Sequence, residues 1–384
     1  MLSEKATNIS PAATIEISAR IAELRRQGTN IISLNIGEPD YPTPENISQA
    51  AKSAIDAHFT KYQPVPGILE LREAICKKFK TDNGLTYQPN EICVSAGAKQ
   101  AVFNAVFVLC GEGDEVIIPT PAFGLYEQIV LMCRGVPVLM DTSQDGFQIR
   151  KQKLVQFVSD KTKAIIINTP NNPTGCIYDE ESLAAVVDAI DGKNMFVICD
   201  DVYRQLIYTD DYHSFAERSE YRDQIIVVQS YSKPYAMTGW RMGYLMMPQS
   251  IKERLELIHQ YVVVSTPAPF QKACMEALDC DVSAMRNTYE KRRAYVMDRL
   301  EKMGLSFTVP LGGFYVFPSI EKYGMTSDMF CRRLIEEAKL ALTPGSCFGC
   351  EGHVRLTYCY EDGALKEGLD RLEGFLRKLE GTSL

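Results

Sequence analysis

No apolar run in this 384-residue sequence approaches the ~20 residues that cross a bilayer, so no transmembrane helix is expected. The first ten residues, MLSEKATNIS, lack the basic start and apolar stretch of a secretory signal. A cytoplasmic protein is the reading. There is no tract of lysines and arginines either. With 41 basic and 49 acidic residues the formal charge is −8, which argues against nucleic acid as a partner, and an anionic ligand would need a local cluster of cations. Internal repeats, low-complexity segments and flexible linkers are missing as well. Cysteine is not scarce, at 12, but a cysteine framework is: Cys93, Cys110 and Cys199 sit inside apolar runs, where a reduced thiol behaves as a small hydrophobe. Cys347 and Cys350 make one CxxC without the second ligand pair that a structural zinc site needs, so no metal is expected.

What is present alternates. From Glu91 to Lys233, short apolar runs (EICVSA, DEVIIPTP, GVPVLMD, KAIIINTP, MFVICDD, QIIVVQSYS) are separated by helical stretches such as AKQAVFNAVFVL and DEESLAAVVDAI. Apolar strands between amphipathic helices predict an α/β domain whose mostly parallel sheet is covered on both faces. After about Pro269 long charged helices take over, DVSAMRNTYEKRRAYVMDRLEKMG and SDMFCRRLIEEAKL, with strand-like GGFYVFPSI and HVRLTYCY. They predict a smaller α+β domain, against which the N-terminal ATIEISARIAELRRQG is expected to pack. The length suits one large domain with a smaller one.

The polar residues cluster at strand ends: NTPNNPTG after one strand, a second closing in DDVY, and SYSK ending a third. Ligands of open α/β sheets bind outside the carboxyl ends of the strands, so these segments converge on one crevice. Lys233 follows the apolar Ile225–Val228 run. Kept from full solvation, its amine becomes a nucleophile toward a carbonyl, which permits a Schiff base. Pro234 next to it disfavours helix at the lysine and fits a loop. Asp200 is a carboxylate leaving a buried strand and needs a cation or donor; a protonated pyridine nitrogen would serve. Gly97, Ala98 and Lys99 form a strand-to-helix turn suited to a phosphate, and Ser230 and Arg241 add donors. Together these are the requirements of pyridoxal 5′-phosphate. Taken singly, each has a plainer reading: a lysine reaching solvent, a simple turn, a helix cap, a surface ion pair.

The motifs NIGEPDYPTP, KYQPVPGILELREAI, SAGAKQA, PTPAFGLY, NTPNNPTG, DDVY, SYSKPYAMTGWRMGY, GGFYVFP and PGSCFG followed by HVRLTY resemble, in order and over nearly the whole chain, class I/II aminotransferases of pyridoxal-phosphate fold type I. The likeness is to the branch containing prokaryotic aspartate and aromatic amino-acid aminotransferases. It implies a large domain with a seven-stranded, mostly parallel sheet over 36–275, and a discontinuous small domain from 1–35 and 276–384. It further implies that Lys233 holds the cofactor and shuttles the substrate proton, that Asp200 holds the pyridinium, and that Asn172 and Tyr203 bond the ring's phenolic oxygen. Phe123 would stack on the ring, and Gly97, Ala98, Lys99, Ser230 and Arg241 would surround the phosphate. Tyr62 would reach that phosphate from the other subunit of a homodimer with shared active sites. Arg355 would clamp the substrate α-carboxylate with Gly37 and Asn172.

The implied reaction moves an amino group from an amino acid to a 2-oxo acid such as 2-oxoglutarate by a ping-pong route. Where some aspartate-specific relatives carry a lysine in the helix after GAKQ, this chain has Phe107, which favours an aromatic or broad-specificity donor. An aspartate-specific enzyme and a carbon–sulfur β-lyase on the same fold are the alternatives. A cofactor-sensing transcription factor is disfavoured, because the motifs begin within the first ~40 residues, too early for a helix-turn-helix module.

Overall fold

The computed structural model describes residues 7–11 and 13–381; the stretches 1–6 and 382–384, the two ends of the expected small domain, lie outside the described residues. A short strand β1 (Ile32–Ser33) precedes the main sheet, whose strands are β2 (Ile92–Ser95), β3 (Glu115–Thr120), β4 (Val136–Asp141), β5 (Thr162–Asn168), β6 (Phe196–Asp200), β7 (Ile225–Ser230) and β8 (Gly243–Met246). Their order is β2-β8-β7-β6-β5-β3-β4. Every pairing is parallel except those of β8, which runs antiparallel to β2 and β7. The seven-stranded, mostly parallel sheet is thus as expected. β8 is the strand of this sheet not read individually: its four residues begin at the end of the lysine motif and are too few for a periodic signal.

The apolar runs form strands because both faces of the sheet are covered. Ile165, Ile167, Val197, Cys199 and Val227 point into one fully buried cluster, while Ala164, Ile166, Ile198, Ile226 and Val228 point into another on the opposite face. Each Ile or Val so buried contributes about 2 kcal/mol. The helix Ala98–Leu109 packs Ala101, Val102, Ala105 and Val106 into the second cluster.

A third cluster gathers Leu34, Tyr289, Val296, Leu300, Phe314, Phe330, Leu356 and Phe375. It draws on the helices Ser283–Lys302, Ser327–Ala338 and Asp362–Gly381 and on β9 (Tyr315–Val316) and β12 (Val354–Thr357) of a three-stranded antiparallel sheet completed by β11 (Thr343–Pro344), in the order β11-β12-β9. β1 pairs in parallel with β10 (Leu340–Ala341), so residues near both ends of the chain share one body. Val202, Tyr203 and Leu206 also belong to this cluster. The turn after β6 is therefore where it meets the main sheet.

Candidate active site

Register brings the polar strand ends together. Asn168 at the end of β5 lies beside Asp200 at the end of β6, and Ser230 ends β7 opposite Gly243 of β8. A cavity of about 350 Å³ opens at this edge, and Gly37, Ala98, Lys99, Phe123, Asn172, Asp200, Tyr203, Ser230, Lys233, Arg241 and Arg355 all border it. Residues separated by up to 320 positions, from Asn35 to Arg355, thus share one site.

Lys233 lies in the turn that follows β7. Its Nζ donates to the Gly37 carbonyl at 2.7 Å. Burial pulls its pKa down to about 8, and the nearby Arg355 and Arg241 add to the fall. The amine is therefore a usable base and nucleophile near neutral pH.

Asp200 is 5% exposed. Its Oδ2 accepts the Tyr126 hydroxyl at 2.6 Å, and Oδ1 has no partner. Burial raises its pKa to about 6, opposed by the Tyr126 bond and reinforced by the neighbouring Asp201. A buried carboxylate with a free oxygen calls for a cationic donor from a ligand. Asn168 supports it, donating from Nδ2 to the Asp200 carbonyl at 2.7 Å while its Oδ1 accepts the Asn172 backbone N–H at 2.8 Å.

At the other end of the cavity the helix Ala98–Leu109 begins at Gly97, whose φ is +80°. A side chain there would be strained, and its Cβ would lie 2.5 Å from Arg241 Nη2. Glycine therefore lets the guanidinium close on the helix N-terminus. Arg241 Nη1 donates to the Thr238 carbonyl at 2.8 Å, and Ser230 Oγ accepts the Ser232 backbone N–H at 3.0 Å. A helix N-terminus with an arginine, a lysine and serines around it is built for a phosphate.

Arg355, on β12, is 5% exposed. Its Nη1 donates to Asn172 Oδ1 at 2.8 Å and its Nη2 to the Asn35 carbonyl at 2.6 Å, while Nε is unpartnered. The guanidinium carbon sits 4.6 Å from the Tyr315 ring centre and 4.9 Å from that of Phe348. The sandwich fixes the plane of a fork that matches a carboxylate. Tyr203 shares a 2.8 Å hydrogen bond between hydroxyls with Tyr315, and burial holds its pKa well above the usual 10. A Cβ at Gly37 would overlap the Tyr315 hydroxyl, so glycine is required where the loop passes over the site.

Tyr62, expected to serve the site of another subunit, and Phe107 both lie away from this cavity. Tyr62 is 89% exposed and does not border the cavity of its own chain. Phe107 is half-exposed against Phe103, ring centres 5.5 Å apart, and also lies away from the cavity. The pocket's character must be read from its actual lining. Sequence reasoning missed Asn35, Tyr126, Asn168, Ser232, Thr238 and Tyr315, all of which border the cavity. Tyr126 and Tyr315 stood inside quoted motifs, but nothing local marks an aromatic that turns its hydroxyl inward.

The family model described as "Aminotransferase class I and II" matches residues 29–372. The chain is 41% identical over 375 residues to a probable N-acetyl-LL-diaminopimelate aminotransferase of Bacillus subtilis, covering 96% of this chain and 95% of that protein. It superposes on the crystal structure of an aspartate aminotransferase from Thermotoga maritima with a TM-score of 0.94 at 36% identity, covering 98% and 100% of the two chains. For an aromatic aminotransferase from Pyrococcus horikoshii the TM-score is 0.88 at 39% identity, with 94% and 100% covered.

Proposed function

This chain belongs to the class I and II aminotransferases, pyridoxal-phosphate enzymes that move an amino group between an amino acid and a 2-oxo acid, and on that premise we propose how its own residues divide the work. One observation carries the assignment: a lysine amine, a buried carboxylate with a free oxygen and a buried guanidinium face one cavity.

The residues fit the cofactor. The orphaned Asp200 Oδ1 suits its ring nitrogen, and the Gly97 cradle under Arg241 suits its phosphate, with Ala98, Lys99 and Ser230 beside it. Phe123 would flank the ring, Asn172 and Tyr203 would bond its phenolic oxygen, and Lys233 would hold it by its amine. When bound, the cofactor supplies the carbon that takes the amino group and a protonated ring that draws off the electrons left as the Cα–H bond breaks.

Arg355 orients the α-carboxylate with Asn172 and Gly37, which presents Cα to Lys233. The released Nζ takes the proton from Cα and returns it on the cofactor side. Its low pKa leaves a good share of the amine neutral for the task. Asp200, held ionised, keeps the proton on the ring nitrogen.

The donor is aromatic or broad in specificity. Among the described residues lining the cavity, the cations are Lys99, Lys233, Arg241 and Arg355, and each already has a role. A second carboxylate on the donor would lack a partner from this chain, and burying it unpaired is costly. Ile36, Phe123, Leu125 and Val202 supply apolar wall instead. The acceptor is a 2-oxo acid such as 2-oxoglutarate, whose distal carboxylate, having no spare cation among the described lining residues, would have to reach solvent or the partner subunit.

The enzyme is a homodimer in which Tyr62 of one copy completes the phosphate site of the other; its exposure and its distance from its own cavity support this. Residues 36–275 form the cofactor domain, and 1–35 with 276–384 the small one, a division supported by the separate clusters around the sheet and around Phe314. Among the described residues no helix is long and apolar enough to cross a membrane. None of the twelve cysteines is in a disulfide, as expected of a reducing cytoplasm. The test is a half-reaction screen: each amino acid is added to the holoenzyme and loss of the cofactor's absorbance followed. Pyruvate and ammonia from cystathionine without an acceptor would instead indicate the β-lyase.

A further inference from the structure

Tyr126 had no role in the motif reading, yet it makes the only side-chain hydrogen bond that Asp200 receives among the described residues. It is 2% exposed and lies in the helix Leu125–Met132. The Phe123 ring meets it edge-on, ring centres 6.1 Å apart at 84°. Burial and the Asp200 charge keep its phenol protonated far above neutral pH, so it is always a donor. With Oδ2 committed to Tyr126 at 2.6 Å, only Oδ1 remains open.

We propose that Tyr126 is a positioning residue for transamination, whose hydroxyl turns Asp200 so that Oδ1 receives the cofactor's ring nitrogen and lowers the carboxylate's proton affinity so that the shared proton stays on that nitrogen. The proposal rests on the reading that Asp200 holds the ring nitrogen. Its physical basis is a competition for one proton. Burial and the like charge of Asp201 both make Asp200 more basic, which would draw the proton from nitrogen to carboxylate and leave a neutral ring that accepts electrons poorly. A hydrogen bond to the ionised form opposes this. With Oδ1 unpartnered, the Tyr126 bond is the largest influence opposing this, ahead of the Val202 backbone N–H and the Lys233 charge, so removing its hydroxyl removes the main opposition from side chains. Phe123, just before the helix, and Tyr126, in its first turn, then act as a pair, one against the ring face and the other behind its nitrogen's partner.

The test uses holoenzyme carrying cofactor labelled with ¹⁵N at the ring nitrogen. In the wild type the resonance at pH 7.5 lies close to the protonated-pyridine position but short of it, because the proton is shared with Asp200. In Tyr126→Phe it moves toward the neutral position, and kcat falls on the order of 10- to 100-fold, the worth of one hydrogen bond to a charged group. With 3-fluorotyrosine at position 126, a near-isosteric and more acidic donor, the resonance moves the other way; this arm reads the same effect should the phenylalanine variant fail to fold. A merely structural tyrosine would move neither. Asp200→Asn separates the two levels. If it leaves the resonance unchanged, the reading of Asp200 itself fails. If it displaces the resonance while neither change at Tyr126 does, Tyr126 has no positioning role and the proposal is overturned.

Discussion

Arg355 and Asn172 stand 183 residues apart in sequence, and in the fold the arginine's Nη1 donates to the asparagine's Oδ1 at 2.8 Å, with both side chains buried. This contact ties the strand β12 to the loop after β5, and it leaves Nε buried without a partner. Lysine has one point charge and cannot reproduce the fork or its stacking between Tyr315 and Phe348. Arg355→Lys is expected to lower kcat/KM for amino acids by roughly 100-fold, mostly through KM. Steady-state kinetics checks it, and a near-wild-type KM would remove Arg355 from the carboxylate site.

Lys233 should titrate near pH 8 in the cofactor-free protein, because burial penalises its ammonium form. Below that pH Nζ is charged; above it the neutral amine predominates, well before a free lysine would lose its proton. Competitive acetylation across pH, read by peptide mass, should give a half-point near 8 at Lys233, and a value near that of surface lysines would contradict the burial argument. Lys233→Ala should lose at least 10²–10⁴-fold in turnover while remaining folded, and borohydride should fix the cofactor on Lys233 in the parent.

Asp200 gives a prediction about stability as well as activity. Its folded-state pKa is raised to about 6 from 3.8, so between these values the folded protein holds a proton that the unfolded chain has released. Ionising it in the fold is a cost that grows as pH rises through 6. In cofactor-free protein, the melting temperature of Asp200→Asn minus that of the parent should therefore increase from pH 4 to pH 7. With cofactor the order reverses for function: Asp200→Asn keeps the phosphate contacts but loses most of kcat. A variant with parental kcat would reduce Asp200 to a structural role.

Tyr62 should act across a dimer. Tyr62→Ala and Lys233→Ala, each impaired alone, are expected to recover activity when unfolded and refolded together. A mixed dimer assembles one site with Lys233 from one copy and Tyr62 from the other. Activity no greater than that of the parent variants would show that Tyr62 does not serve a partner's site.

Donor preference follows from the cavity wall. With no spare cation among the described lining residues, tyrosine or phenylalanine should show a higher kcat/KM than aspartate with 2-oxoglutarate as acceptor. A tenfold preference for aspartate would mean that a cation from the second subunit enters the pocket.

The sequence by itself determined the sheet and the location of the site. Runs such as IIVV at 225–228 can be buried on both faces only in a covered parallel sheet, and the polar segments that follow three of these runs must then lie at one edge. It also marked Lys233, Asp200, Asn172 and Arg355, because their chemistry is conspicuous beside apolar strands or in ordered motifs. The tertiary structure alone decided which side chains meet. Tyr126 reaches Asp200 across 74 residues and Tyr203 reaches Tyr315 across 112; Asn168 reaches the Asp200 carbonyl only because β5 and β6 pair in that register. It also set Phe107 outside the cavity that its helix position suggested. Apolar periodicity is a local property that burial imposes on every strand and helix. A hydrogen bond between distant side chains depends on strand register, helix rotation and rotamer together, and none of these is written in the residues around either partner.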